Sequence, residues 1–340
     1  MAEQTDSTCA RKKREKRHVL ILSTELSGGG AEKVARLMVE SIDQSTCVLF
    51  QNTENIYPAN SKVSVIKVNR RSHNVVKLFL NVYRIVYIQI IKIKLKPAIT
   101  VSHLEGPNFA NILTWSGGIR VLFVHNFVGR NYSKRNFTNY FKKILIGILY
   151  QHADVVVGVS MDICDELVRR YKVRREQVMY LPNPINTREI TLEGNKSYGD
   201  WRDRLLQDRY IVNVGNFTEQ KNHELLIHVF KHVRGRGIDV KLVLLGDGED
   251  RKKILALCHD QQLVVHDLLV DQYSKYAEVF ILGYQSNPYP IVRSAELFVM
   301  TSLWEGLPIS LLEALCLEVP IVVSDCSDSI KNILDVKDDI

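Results

Sequence analysis

The sequence predicts an α/β protein built from two doubly wound parallel-sheet domains that face each other across a cleft. Three observations point there. Short β-branched runs alternate with helical patterns along the chain, as in parallel sheets covered on both faces. The alternation breaks once, near Tyr180-Leu181-Pro182-Asn183-Pro184, and resumes at Tyr210. The chain is 340 residues long, which fits two domains at roughly 100–200 residues each.

The elements follow in order. In the first half, strands are expected at 18–22, 47–50, 63–67, 98–102, 121–125 and 155–159. Helices fit between them at 30–42, 75–94, 108–114, 136–150 and 161–170. Residues 185–208 are polar and lack a strand, so they read as the crossover between domains. The second series has strands at 210–215, 241–245, 279–282, 297–300 and 321–324. Its helices are expected at 222–234, 250–263, 289–295 and 309–317. The organisation is therefore a basic tail (1–17), a first domain (18–184), a linker (185–208) and a second domain (209–340).

Composition narrows the class. Hydrophobic residues make up 46% and charged residues 24%, ordinary globular values that exclude extensive disorder. The six cysteines form no CxxC pair, which argues against a disulfide framework or zinc site and fits a reducing, cytoplasmic compartment. Net charge is uneven: residues 1–180 carry 28 Lys+Arg against 14 Asp+Glu, net +14, and residues 181–340 carry 17 against 24, net −7. Such asymmetry points to an anionic surface met by the first half, either nucleic acid or an anionic membrane leaflet. No secretory signal is visible, and no run reaches the roughly 20 apolar residues of a membrane span. The tail ends in Arg11-Lys12-Lys13-Arg14-Glu15-Lys16-Arg17, readable as a solvated tail or as a membrane-surface anchor. The run 75–95 is apolar nearly all round but interrupted by Lys77, Arg84, Lys92 and Lys94. It reads as a buried helix or as an interfacial helix on anionic lipid.

Ligands of doubly wound sheets sit beyond the carboxyl ends of the strands, so chemistry is sought just after each strand. After the first strand, Ser27-Gly28-Gly29-Gly30-Ala31-Glu32-Lys33 opens a helix. Its glycines let backbone amides approach a phosphate or sugar, or simply make a tight strand-to-helix turn. Lys33 stands where the third glycine of a G-x-G-x-x-G fingerprint would fall, so a dinucleotide fingerprint is absent. After the strand 210–215 comes Gly215-Asn216-Phe217-Thr218-Glu219-Gln220-Lys221-Asn222, with a lysine at the mouth of a helix. Gly246-Asp247-Gly248 follows the next strand and is either an ordinary turn or a source of cleft-facing amides.

The most informative stretch is Ser302-Leu303-Trp304-Glu305-Gly306-Leu307-Pro308-Ile309-Ser310-Leu311-Leu312-Glu313-Ala314. Pro308 fits the first turn of a helix. At about 1.5 Å per residue, Glu305 and Glu313 lie roughly 12 Å apart. That exceeds the about 5–9.5 Å of hydrolase carboxylate pairs and suits two ends of one ligand with a diphosphate between.

These segments together resemble the retaining glycosyltransferases of family 4, which have the GT-B fold of two Rossmann-like domains. The resemblance runs in order over about residues 18–326. It also includes Val124-His125-Asn126, Val159-Ser160, Asn183-Pro184-Ile185, Leu245-Gly246 and Leu282-Gly283. Its most specific part is the spacing from Glu305 to Glu313. The resemblance implies roles residue by residue. Glu305 would contact the donor sugar and Glu313 the nucleotide ribose. Lys221 would grip the donor diphosphate and stabilise the leaving group. Gly306 and Leu307 would offer backbone amides to sugar or phosphate. Gly29 and Gly30 would lie near the diphosphate, with Gly215, Asn216 and Gly246 on the donor side. His125 would stand near the reacting centre, although a lone His after a strand also fits a structural role. Transfer would retain the anomeric configuration and need no metal or other cofactor. The donor would be a nucleotide diphosphate-sugar. The acceptor would be a lipid-linked or glycan hydroxyl in cell-surface polysaccharide biosynthesis, with the basic half docked on the inner face of the cytoplasmic membrane.

Two departures from the family pattern stand out. Asn216 occupies a position usually held by Arg, and Asn cannot make a bidentate charged contact to phosphate. Arg293 is a candidate to compensate. The family also usually continues for some tens of residues past the strand 321–324, so the second domain reads as shortened and its coupling to the first is in question. These departures leave a second class open: a catalytically weak relative that binds a nucleotide or scaffolds a complex. A nucleic-acid-binding role would need a stacking-aromatic motif, which the sequence lacks.

Overall fold

The computed structural model describes residues 18–26, 29–51, 63–65, 74–132, 137–268 and 274–335. The basic tail 1–17, Ser27, Gly28 and the end of the expected strand 63–67 lie outside these residues.

The first domain is a seven-stranded sheet of β1 (Val19–Ser23), β2 (Ser45–Leu49), β3 (Val63–Val65), β4 (Ile99–His103), β5 (Ile119–Val124), β6 (Val155–Gly158) and β7 (Val178–Tyr180). The order is β3-β2-β1-β4-β5-β6-β7, with every pair parallel. The second sheet holds β8 (Tyr210–Val214), β9 (Lys241–Leu245), β10 (Val265–Asp267), β11 (Val279–Ile281), β12 (Leu297–Met300) and β13 (Ile321–Val323). Its order is β10-β11-β9-β8-β12-β13, again parallel throughout. In each domain the strand order reverses beside the first strand, β1 or β8, and that switch point opens a crevice at the strand ends. The two-domain doubly wound reading of the sequence is the observed architecture.

The strands form where apolar residues run unbroken, because both sheet faces are covered by helices. Leu20, Ile21 and Leu22 are all fully buried, the even positions against one helix layer and Ile21 against the other. Helix Gly30–Ser41 buries Ala31, Val34, Ala35 and Val39, a stripe at helical spacing. Helix Asn74–Leu95 buries Ile88 in the core, packs Ile85, Tyr87 and Ile91 against it, and leaves Val82, Tyr83, Val86 and Ile93 exposed. Lys92, read from sequence among the charges of that helix, turns inward. Its Nζ donates to Asn111 O (3.0 Å), Asn111 Oδ1 (2.9 Å) and Thr114 O (3.1 Å), and burial lowers its pKa to about 7.

Residues 185–208 are more than a crossover. They carry helices Thr187–Gly194 and Arg202–Leu205, and Ile190 and Leu205 are buried in the core of the second sheet. Asn186 caps the first of these by accepting from Glu189 N at 3.2 Å. At the other end, helix Asp328–Leu334 bridges the domains. Ile330 is buried in the second core, while Ile333 packs against both cores. Asp328 N donates to Asp162 Oδ2 at 3.0 Å, on helix Met161–Arg169 of the first domain.

Candidate active site

A cavity of about 320 Å³ lies where the carboxyl ends of the two sheets meet. Nearly every residue singled out from sequence lines it: Gly29, Gly30, His125, Gly215, Asn216, Lys221, Glu305, Leu307 and Glu313. Gly246 lines an adjoining cavity of about 160 Å³ together with Gly215 and Asn216. Gly306 lines neither cavity. It packs under the floor, where a Cβ would strike the backbone carbonyl of His125 and the side chain of Ile163. Ser329 donates to the Gly306 carbonyl from the bridging helix. The missing Cβ thus serves close interdomain packing.

Two helices begin at this cavity. Helix Gly30–Ser41 starts at its wall, and helix Ile309–Cys316 starts opposite, with Ile309 Cδ1 lying 3.3 Å from where a Gly30 Cβ would sit. Unsatisfied amides and the positive ends of two helix dipoles so converge on one space, an arrangement suited to an anion. Gly246 (φ +145°) is required by a different approach: a Cβ there would collide with the Gly215 carbonyl. The loop after β9 can approach the loop after β8 because Gly246 lacks a side chain.

The placement of Lys221 follows from local backbone. Asn222 sits in the left-handed region (φ 48°), which Asn tolerates better than most residues. Its side chain caps helix His223–Gly235, accepting from Leu225 N at 3.5 Å. Thr301 at the end of β12 donates to the carbonyls of Lys221 (3.2 Å) and Asn222 (3.0 Å). The lysine stem lies over Gly215, and Nζ ends 2.6 Å from Glu305 Oε1. Glu305 is 5% exposed and also accepts from Ser302 Oγ (2.7 Å) and Gln220 Nε2 (3.2 Å). A buried carboxylate with three donors is fully compensated. Gln220 reaches across the cleft as well, accepting from Asn126 Nδ2 at 3.0 Å.

Glu313 holds a different cation. Its Oε1 accepts from Lys33 Nζ at 2.6 Å and from Tyr289 OH at 2.9 Å. The two glutamates are thus separate stations of one cavity. Only Ile309–Cys316 is helical, so the sequence estimate of their separation as a continuous helical rise does not apply to residues 305–308.

His125 lies 2.9 Å (Nε2) from His103 Nδ1, the two rings stacked with Phe123. Burial lowers the His125 pKa to about 4, so the ring is neutral near pH 7. Asn183 faces the ring, and its side-chain hydrogen bond to His125 opposes part of that fall. Both residues line the main cavity. Leu104, beside His103, has φ 70° and ψ 162°, a costly backbone for leucine, and it also faces the cavity.

Sequence reasoning missed Lys33, Gln220, Ser302, Tyr289, Asn183 and His103 as site residues. Glu32 was quoted only within a motif. Its carboxyl reaches back over Gly29 into the main cavity, and burial, helped by Glu25, raises its pKa from 4.5 to about 7. The raised value means that unfolding releases this proton between those two values. Stability is therefore expected to fall as pH rises from about 4.5 to about 7 and then to level off. Partial solvent access at this residue reduces the effect to on the order of 2 kcal/mol. Glu32→Gln should flatten that part of the denaturation-midpoint profile; an unchanged slope between pH 5 and 7 would place the titration elsewhere.

Arg293, the expected substitute for the missing arginine, is exposed and lines neither cavity. Lys33 and Arg36 of the first domain share the adjoining cavity with Asn216, and Lys221 shares the main one.

Two facing doubly wound domains, with converging helix N-termini and buried lysine–glutamate pairs at the switch point, define the GT-B class of glycosyltransferase. The "Glycosyltransferase Family 4" model matches residues 28–189, and the "Glycosyl transferases group 1" model matches residues 202–337. The chain belongs to the group 1/family 4 glycosyltransferases. An uncharacterized glycosyltransferase of Methanocaldococcus jannaschii is 26% identical over 290 residues, covering 80% of this chain and 67% of that protein. The N-acetylgalactosamine-N,N'-diacetylbacillosaminyl-diphospho-undecaprenol 4-alpha-N-acetylgalactosaminyltransferase of Campylobacter jejuni is 30% identical, covering 57% of this chain and 47% of that protein. The chain thus spans from about half to two thirds of the length of these relatives. Among solved structures, Anabaena HepE with UDP and glucose superposes with a TM-score of 0.67 at 14% identity, covering 93% of this chain and 82% of that one. A UDP-forming trehalose-phosphate synthase of Burkholderia xenovorans gives 0.70 at 10% identity, covering 92% and 87%. At such identities these two show the fold.

Proposed function

We propose that the cleft transfers a sugar, with retention, from a nucleotide diphosphate-sugar to a hydroxyl of a lipid-linked acceptor in cell-surface polysaccharide biosynthesis. The observation that carries this reading is the cavity itself: two helix N-termini and Lys221 surround space for a diphosphate, with Glu305 and Glu313 at its two sides. The diphosphate occupies the main cavity, facing Lys221 and the starts of the two helices. Glu305 meets the sugar hydroxyls, and Glu313 meets the ribose. The base enters the adjoining cavity beside Gly215, Asn216 and Gly246. His125 and Asn183, which line the main cavity, stand near the reacting carbon. The bond from the anomeric carbon to the diphosphate oxygen breaks, and the acceptor oxygen bonds to the same carbon on the same face. The acceptor proton passes to the departing diphosphate oxygen. Lys221 and the helix N-termini stabilise the leaving charge, so no metal is required.

Lipid-linked acceptors are supported by the printed activity of the Campylobacter jejuni relative and of an Escherichia coli UDP-Gal:alpha-D-GlcNAc-diphosphoundecaprenol alpha-1,3-galactosyltransferase. No helix among the described residues is long and apolar enough to cross a membrane. Contact with anionic lipid is instead proposed for the first domain. Between residues 55 and 153 the sequence has 15 Lys+Arg and a single acidic residue, Glu105. Exposed Ile93 (60%), Trp115 (70%) and Tyr140 (66%) lie in that stretch. Replacing Ile93 and Tyr140 together by Glu should reduce co-sedimentation with phosphatidylglycerol vesicles by about tenfold, each buried aliphatic or aromatic group contributing about 1 kcal/mol or more. Equal binding by the variant would locate lipid contact elsewhere.

The stereochemical reading is tested by proton NMR of the transfer product formed from an α-linked donor. An α-linked product supports retention, and a β-linked product contradicts it.

A further inference from the structure

We propose that Lys33 is the first domain's positioning residue for the nucleotide: it orients Glu313 so that the free carboxylate oxygen accepts the ribose hydroxyls. The inference rests on the reading of Glu313 as the ribose acceptor and adds to it a residue from the opposite domain.

Lys33 lies one turn into helix Gly30–Ser41, in the first domain, and Glu313 lies in helix Ile309–Cys316 of the second. Nζ is 2.6 Å from Oε1, and the carboxylate side chain is only 6% exposed. Tyr289 OH donates to the same oxygen at 2.9 Å, and Lys33 Nζ stands 5.7 Å from the centre of the Tyr289 ring. Two donors converging on one oxygen fix the rotation of the carboxylate plane. Oε2 has no hydrogen-bonded partner among the described residues, and Glu313 lines the main cavity. Lys33 itself borders both the main cavity and the adjoining one. It is therefore at the join of the spaces assigned to diphosphate and base, where the ribose must lie.

The sequence prepares this reach. Gly30 lets the two helix starts approach closely, since a Cβ there would lie 3.3 Å from Ile309 Cδ1. Lys33 sits one turn further and meets Glu313, one turn into the facing helix. The ion pair consequently forms when the domains are closed, and it couples closure to the geometry of the ribose site.

The test compares ribonucleotides with their 2′,3′-dideoxy counterparts. Dissociation constants are measured by calorimetry for whichever of UDP, GDP, ADP and CDP binds the native chain most tightly, and for its dideoxy form. Lys33→Met should weaken the ribonucleotide about tenfold and move the dideoxy form by less than about twofold, while Lys33→Arg should stay within about threefold of native. A melting curve confirms that each variant is folded, and Lys33→Gln serves if the methionine variant is not. Equal weakening of both nucleotides would overturn the proposal, since Lys33 would then act on the phosphates or on the fold. No change in either would overturn it as well. If Glu313→Gln leaves the native preference for ribose unaltered, or the native chain shows no such preference, the ribose reading of Glu313 fails independently of Lys33.

Discussion

Lys221→Met is expected to lower turnover by about a thousandfold while leaving the fold recognisable. The Asn222 cap, the Thr301 hydrogen bonds and the Gly215 floor hold this ammonium before any ligand arrives. A preorganised donor aimed at developing charge is worth about 10²–10³ in rate when removed singly, and a full positive charge lies at the upper end. The substitution also strips a cation from Glu305, which is 5% exposed. Breaking a buried pair from one side costs about 3–5 kcal/mol of stability. Lys221→Met combined with Glu305→Gln should recover most of the melting temperature without recovering turnover. Steady-state rates of nucleoside diphosphate release decide the matter: a loss under about tenfold would remove Lys221 from the leaving-group role.

Glu313→Ala is expected to weaken nucleotide binding by about a hundredfold. The change removes an acceptor for the ribose and also strands two donors, Lys33 Nζ and Tyr289 OH, beside the cavity. Charge-assisted hydrogen bonds contribute about 1.5–3 kcal/mol each, and unpaired buried donors add their own desolvation cost. Titration calorimetry with a nucleoside diphosphate reads the effect directly, and an affinity within about threefold of native would contradict the ribose assignment.

Much of this was legible in the chain because the strands are buried on both faces. β9 and β12 are read at their observed bounds, and β1, β4 and β6 within one residue, from short β-branched and apolar runs. The three-residue β7 and β10 were missed. β10 reads Val-His-Asp, and its histidine and aspartate are buried by tertiary contacts that local pattern does not report. Helix Thr187–Gly194 was hidden in a polar stretch, since Ile190 is its one large apolar residue fully buried against the second core. The site was legible where backbone carries the chemistry: glycines after strands, and the proline-started helix carrying Glu313. It was not legible where side chains pair across the cleft. Lys33, 280 positions from Glu313, gives no local signal of its partner. The missing Cβ of Gly306, which seats one domain on the His125 carbonyl, likewise gives no local signal of that contact.

The central claim is that this cleft binds and cleaves a nucleotide diphosphate-sugar. It is tested most directly by thermal-shift measurement against UDP-, GDP-, ADP- and CDP-sugars, with release of the free nucleoside diphosphate followed in parallel in the presence of membrane extract. A stabilising shift with one donor, accompanied by diphosphate release that Lys221→Met abolishes, is the expected result. Absence of both shift and release with every donor would contradict it.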